Sequence, residues 1–433
     1  MPLPATFSPL RHRNYRLYFT GQFFSLIGGW MQETGRGWLV TLMAAQAAPS
    51  HAEAERLASY YLGMLLTVGS LPMLFGSLFG GVIADRVSKR KLIFWSQSAQ
   101  MLLSLAMAAL VASGKAQVSH VFIFALLIGL TNVVDMPARQ AFVVELVGKD
   151  DLPGAVGLNA SLFNGSRMLG PALAGVLIGT MGGRGETAIA LCFALNGISF
   201  LTLLLALFFL RGDFSVKAGG KEPPLIQLRE ALRYLRGDAP VRTLLLLLAG
   251  YSIFTVGDWA LTPSLARFTL HADAKGFGLL TSLKGVGAWV GALTVATMAG
   301  SAHRVRVLTA AAILSPLIHL AIALSGRFWL AAILMPLNGF AVVSFLATAN
   351  GLLQTSIPDA LRGRMMGVHA FLMMGLNPVG GLLIGTLAQR SSAGAAMATG
   401  AICALACGLA ITLRSPTLLR ALGQPPESRG KSG

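Results

Sequence analysis

Long apolar stretches separated by short polar turns make up almost the whole chain. About 20 apolar residues, wound as a helix, span the hydrocarbon of a bilayer. Twelve such stretches are expected, near 15–43, 57–84, 92–113, 118–138, 157–182, 187–210, 241–265, 276–299, 305–324, 328–352, 365–388 and 393–413. The pattern predicts an all-α membrane protein with twelve transmembrane helices. The longest connection, 211–240, splits them six and six, and holds Gly219-Gly220 and Pro223-Pro224. The expected organisation is a first half over 1–212, a linker over 213–240 and a second half over 241–433. Within the linker, Leu228, Leu232 and Leu235 recur at helical spacing, and Arg229, Arg233 and Arg236 repeat it one position on. This reads as a short amphipathic helix on an anionic membrane surface, or a solvated linker helix.

Short fragments recur in the two halves, as duplication would leave them. Pro171 precedes Gly175-Val-Leu-Ile-Gly179 in the fifth stretch, and Pro378 precedes Gly381-Leu-Leu-Ile-Gly385 in the eleventh. Gly157 to Leu162 likewise echoes Gly367 to Leu372.

Composition sharpens the membrane reading. The chain has 433 residues, 54% hydrophobic and 12% charged, against about 25% charged in a soluble domain. Its 34 Lys and Arg face 17 Asp and Glu, a net charge of +17. On a soluble protein that excess would suggest nucleic acid. Here 24 of the bases fall on one set of alternate loops and the tails, and seven on the other set. The bias predicts both termini in the cytoplasm and leaves no single basic module for nucleic acid. Cys192, Cys403 and Cys407 all lie in apolar stretches, so no disulfide framework or paired-cysteine zinc site is expected. The polar first 14 residues do not resemble a cleavable signal.

After the second stretch the chain reads Gly81-Val-Ile-Ala-Asp85-Arg86-Val-Ser-Lys89-Arg90. The glycine suits close helix packing, and the bases suit an anionic leaflet. The loop resembles the signature between the second and third helices of the major facilitator superfamily. The strings LRHRNYRL from Leu10, DMPARQAF from Asp135 and RMLGPALAG from Arg167, together with Arg362-Gly-Arg364, are similar to a bacterial branch containing the enterobactin exporters. The resemblance implies the major facilitator fold and export from the cytoplasm across the bacterial inner membrane. It implies proton antiport as the energy source, with no cofactor. Gly170, Pro171 and Gly175 form a partial version of the antiporter signature. The fourth stretch lacks the interior arginine usual in proton-driven drug exporters; its one arginine, Arg139, stands at the inner end.

A charge at bilayer depth costs about 2.5–3.5 kcal/mol on insertion scales, so each is a functional candidate. Glu33, Arg36, Arg167, Asp258 and Lys284 are the five. Glu33 and Asp258 stand at similar depth in the first and seventh stretches. Each has a base nearby, Arg36 or Lys284, so each half carries an acid and a base. These acids are candidates to take up and release a proton, or else to form static ion pairs. Arg167 is a candidate to bind a carboxylate or catecholate in a central cavity, or else to satisfy backbone carbonyls of a neighbouring helix. Asn132, Asn164 and Asn338 either line a cavity or tie helices together. His319 and His369 are read chiefly as packing residues. Asp135 and Arg139, one turn apart, are expected to join Asp85, Arg362 and Arg364 in a latch at the inner side, or else to cap the inner helix ends.

The leading expectation is a monomeric secondary transporter exchanging an amphiphilic small molecule, drug-like or siderophore-like, for protons. A lysophospholipid or metal-ion carrier, or a receptor or scaffold of the same fold, are the alternatives. The seven histidines are scattered and no Walker loop occurs, which argues against a membrane enzyme or an ATP-driven pump.

Overall fold

A computed structural model describes residues 5–148, 150–181, 185–214, 224–298, 303–414 and 422. Side chains at 5, 6, 77–79, 82, 85, 224–228, 256–258, 359 and 360 lie outside that description, and with them those of Asp85, Leu228 and Asp258. A 3-10 helix, Ala5–Arg11, leads into α1 (Arg13–Ala47). Then follow α2 (His51–Arg86), α3 (Lys89–Ala112), α4 (Val118–Val147), α5 (Leu152–Thr180) and α6 (Gly185–Phe208). The linker contains α7 (Pro224–Gly237). After it come α8 (Ala239–Ala260), α9 (Thr262–Ser264) and a π turn, Leu265–Thr269. The rest is α10 (Ala274–Thr297), α11 (Arg304–Leu324), α12 (Phe328–Ser356), α13 (Asp359–Ala370), a π turn (Phe371–Gly375), α14 (Asn377–Arg390) and α15 (Ala393–Arg414).

Among the described residues the structure is entirely helical, and nine helices are long and apolar enough to cross a bilayer. The expected first, fifth and seventh spans are not among the nine. Charges at Arg13, Arg16, Glu33 and Arg36 lower the hydropathy of α1. Gly, Asn and Ser do the same for α5, and the apolar run of α8 is shorter, Ala239–Thr255. Large apolar side chains such as Phe75, Trp95, Trp329 and Leu413 stand exposed around the bundle. That is the surface lipid covers in a multi-pass membrane protein. The eleventh expected stretch is broken by its π turn ahead of Pro378, and the helix of the seventh ends at Ala260, ahead of Pro263. Such π segments often mark functional positions.

Small residues set the packing. A Cβ on Gly175 of α5 would lie 2.8 Å from the Cα of Gly278 in α10, and one on Gly63 of α2 would lie 2.5 Å from the Cα of Gly385 in α14. Backbones therefore touch along the α5–α10 and α2–α14 seams, as helices do in lipid when no side chain intervenes. Gly80 makes the equivalent contact at the signature loop, its Cβ position falling 2.0 Å from the Val133 carbonyl oxygen. Gly81 faces open space, so the close approach expected of the loop glycines belongs to its neighbour.

The core is divided unevenly. Trp38, Phe193, Phe277, Met335 and Met397 share one cluster drawn from both α1–α6 and α8–α15. A second cluster, with Tyr15, Tyr18, Phe142 and Leu203, belongs to α1–α6 alone. A third, with Leu244, Tyr251, Phe345 and Leu352, belongs to α7–α15 and takes in Leu422. The separate clusters lie toward the end where α1 begins and α15 stops, the terminal end. The shared one lies in the middle and at the opposite, far end. In α7, Ala231 is buried and Leu235 packs on the third cluster, while Leu232 is exposed. Of the leucine stripe read from the sequence, Leu235 is half-buried, Leu232 is exposed and Leu228 lies outside the described side chains; α7 docks on the bundle through Ala231, Tyr234 and Leu235.

Candidate functional site: a charged layer in a central cavity

Four of the five candidate intramembrane charges are described, and all four meet in one layer. Glu33 and Arg36, one helical turn apart on α1, form an ion pair. Arg167 comes from α5 and Lys284 from α10. A cavity of about 530 Å³ is lined by all four and extends from them past Gln100 and Asn132 toward Leu346, on the terminal side. A smaller space of about 80 Å³, on their far side, is lined by the same four residues. The layer therefore separates a roomy cavity from a nearly closed one. Its described charges are three bases against one acid. Asp258 lies on α8 beside Trp259 of this lining, its side chain outside the described residues.

Aromatic rings hold the layer in place. The Arg167 guanidinium lies 5.6 Å from the ring centre of Trp30 and 5.7 Å from that of Trp259. The two tryptophans meet edge to face at 5.2 Å, and Phe163 packs on Trp30 at 5.6 Å. A cation over indole rings retains its charge out of water at reduced cost. Glycines make room for this arrangement. A Cβ on Gly170 would strike Trp30, one on Gly285 would meet the Arg167 carbonyl, and one on Gly339 would meet the Lys284 carbonyl. Of the partial helix-5 signature, Gly170 thus seats Trp30 and Gly175 forms the seam to α10. Pro171 is buried beside them.

The remaining polar candidates divide. Asn132 lines the cavity and accepts a 3.1 Å hydrogen bond from Gln100. Asn338 does not line it: the residue is fully buried on α12, whose neighbouring Gly339 closes on α10 and seals that face. Asn164 turns back to the Ala160 carbonyl at 2.9 Å. His319 is buried, and neither it nor His369 lines the cavity.

Of the expected inner latch, the Asp135–Arg139 pair is present, and the side chain of Asp85 lies outside the described residues. Asp135 is buried and accepts from Ser96 at 2.5 Å, Gln97 at 3.1 Å and Arg139 at 2.6 Å, all from α3 and α4. Arg364 instead pairs with Glu230 of α7 at 2.5 Å, and Arg362 donates to the Gln354 carbonyl at 3.2 Å. The short i,i+4 spacing lets Arg139 satisfy Asp135 first, and α7 supplies Arg364 with a nearer acid. In the signature loop, Lys89 pairs with Glu145 at 2.9 Å, Arg90 donates to the Phe208 carbonyl, and Arg86 is exposed.

The far end, by contrast, is sewn shut between α1–α2 and α9–α15. Ser59 and Ser264 hydroxyls meet at 2.7 Å, and Arg56 donates to the Ser391 carbonyl at 3.0 Å. The Ala393 amide donates to Glu55 at 3.0 Å, and Trp38 stacks on Phe277 at 5.7 Å. Sequence reasoning missed these residues, and missed Trp30 and Trp259. Their signal was faint: each tryptophan stands within one turn of a candidate acid.

A family model for transmembrane secretion effectors matches residues 4–422. The chain belongs to that family. It is a transporter of the major facilitator type; its relatives are transporters, not enzymes. It is 28% identical over 332 residues to the multidrug efflux pump Tap of Mycolicibacterium fortuitum, covering 75% of this chain and 79% of that one. It is 25% identical over 424 residues to the enterobactin exporter EntS of Citrobacter koseri, covering 97% and 96%. Among solved structures, the peptide transporter PepTSo has a TM-score of 0.67 at 14% identity, over 94% of this chain and 98% of that one. A bacterial homologue of the lysosomal transporter Spinster, inward-facing and unoccupied, has 0.65 at 13%, over 94% and 97%.

Proposed function

We propose that this transporter exports an amphiphilic small molecule, drug-like or siderophore-like, from the bacterial cytoplasm in exchange for protons. It works as a monomer by alternating access. Its twelve spans form two six-helix halves, 1–212 and 241–433, joined by the linker 213–240, with both termini in the cytoplasm. The observation that carries the reading is the layer of Glu33, Arg36, Arg167 and Lys284. It borders a cavity that widens toward the terminal end, while the far end is sewn closed. This is the arrangement of a carrier waiting for substrate from the basic, terminal side. The efflux and siderophore-export names of the relatives support the direction.

The residues divide the work. Substrate enters between Gln100, Asn132 and Met373 and meets Arg167 beside its two tryptophans. Glu33 exchanges its bond to Arg36 for a proton, and Asp258 performs the same exchange in the second half. A proton on the acid frees a base to hold an anionic substrate group, and loss of that proton returns the base to the acid. The far-end bonds at Ser59, Arg56 and Glu55 are those that break for release. A panel of catecholate, carboxylate and cationic amphiphiles, offered to everted vesicles under an imposed proton gradient, tests the reading. Uncoupler-sensitive uptake of at least one class is expected. Absence of uptake for every class, with the protein shown to be inserted, would contradict it.

A further inference from the structure

The far face holds another pocket, of about 690 Å³, that the export reading leaves unused. The end of α1 and the start of α2 form one wall; the π turn Leu265–Thr269 and the segment before α10 form the other. The far-end seam therefore runs through it, and His51 bridges the walls with a 3.1 Å bond to the Phe268 carbonyl.

Arg267 is the base of this pocket. Its guanidinium lies 5.2 Å from the Trp38 ring centre and 5.7 Å from that of Phe268. Among the described residues none offers it a carboxylate or carbonyl. The ring contacts use none of its N–H donors. A partly buried guanidinium without an acceptor is costly, and an oxyanion removes that cost with two parallel bonds. The facing wall adds an independent preference for negative charge. The 36-residue helix α2 begins there, capped by Ser50, whose hydroxyl takes only the Glu53 amide, at 3.3 Å. The His51 and Ala52 amides at the positive end of the helix remain for a ligand, beside Glu53, the acid of the first turn. Asp273 is the single acid of the lining, and its Oδ1 accepts from the Gly276 amide at 2.8 Å as the cap of α10.

We propose that this pocket binds a phosphate ester from the far side, gripped by Arg267 on one wall and the α2 N-terminus on the other, and that the bound anion holds the far end closed. Because the grip comes from both sides of the seam, the closed form binds the anion more tightly than the open one, and occupancy shifts the population toward it.

Phenyl phosphate, titrated by calorimetry into the full chain in maltoside micelles, tests the site. Binding at least tenfold weaker in Arg267→Gln, intermediate in Arg267→Lys and unchanged in the exposed control Arg327→Gln is expected. Added phosphatidylglycerol separates two sources of the same chemistry: competition assigns the site to a lipid headgroup, and no competition assigns it to a soluble ester. Equal affinity in parent and Arg267→Gln overturns the proposal. So does the absence of binding with and without lipid, or a loss confined to Arg167→Gln, which would place the anion in the central cavity.

Discussion

At the scale of single residues, what matters is how each buried charge is satisfied. Asp135 illustrates the structural case: three donors converge on one carboxylate that is 4% exposed. Removing one partner of a buried pair strands the other, at a cost of about 3–5 kcal/mol. Asp135→Asn should therefore lower the thermal unfolding midpoint in detergent, and Arg139→Gln added to it should recover part of the loss. An unchanged midpoint would show that the pair contributes nothing. Arg167 packs against two rings, those of Trp30 and Trp259. Each cation–π contact contributes about 0.5–2 kcal/mol. Trp259→Ala should raise the transport KM by roughly three- to thirtyfold, with kcat less affected; equal KM in variant and parent would remove the aromatic cage from substrate binding.

At the scale of elements, glycine seams and one anchored segment carry the argument. Gly175 and Gly278 let α5 and α10 touch backbone to backbone. Gly175→Leu should force the seam apart and reduce transport at least tenfold without preventing insertion, read as rate per inserted protein. A parental rate would show that the seam tolerates a side chain.

The N-terminal segment is tied to the start of α5 through Asp151, which accepts from Ser8 at 2.6 Å and from Arg11 at 2.9 and 3.1 Å, with His12 Nε2 at 2.6 Å. Hydrogen bonds from Ser8, His12 and Arg11 hold its carboxyl well below the usual carboxylate range. A depressed carboxylate stabilises the folded form above its unfolded value of about 3.9 and loses that contribution as pH falls below it. Proteolysis between residues 5 and 12 should thus stay slow from neutral pH down to about 4 and accelerate below that. Asp151→Asn should make the segment cleavable at neutral pH, and equal protection in parent and variant would contradict the anchor.

At the scale of the molecule, the sequence states the architecture openly and the site partially. Apolar runs of bilayer length and the Gly81 to Arg90 loop are local signals, and they led to the right superfamily. The pairing of Glu33 with Arg36 was legible because three residues on one helix determine it. The Arg167 cage was not, because Trp30 and Trp259 lie 229 positions apart in a chain where tryptophan ordinarily means lipid or core. The full surroundings of the latch candidates were not legible for a related reason. Spacing shows that Asp135 and Arg139 can meet, but only tertiary packing shows that Ser96 and Gln97 complete the set while Arg364 turns to Glu230.

The central claim is that acids in the charged layer exchange protons for substrate across a carrier closed at its far end. Its most direct test is proton release from acid-loaded everted vesicles on addition of a transported substrate, measured for the parent, Glu33→Gln and Asp258→Asn. The account predicts release with the parent and loss of release in at least one variant, with substrate binding retained. Substrate uptake without proton release in the parent, or full release in both variants, would contradict it.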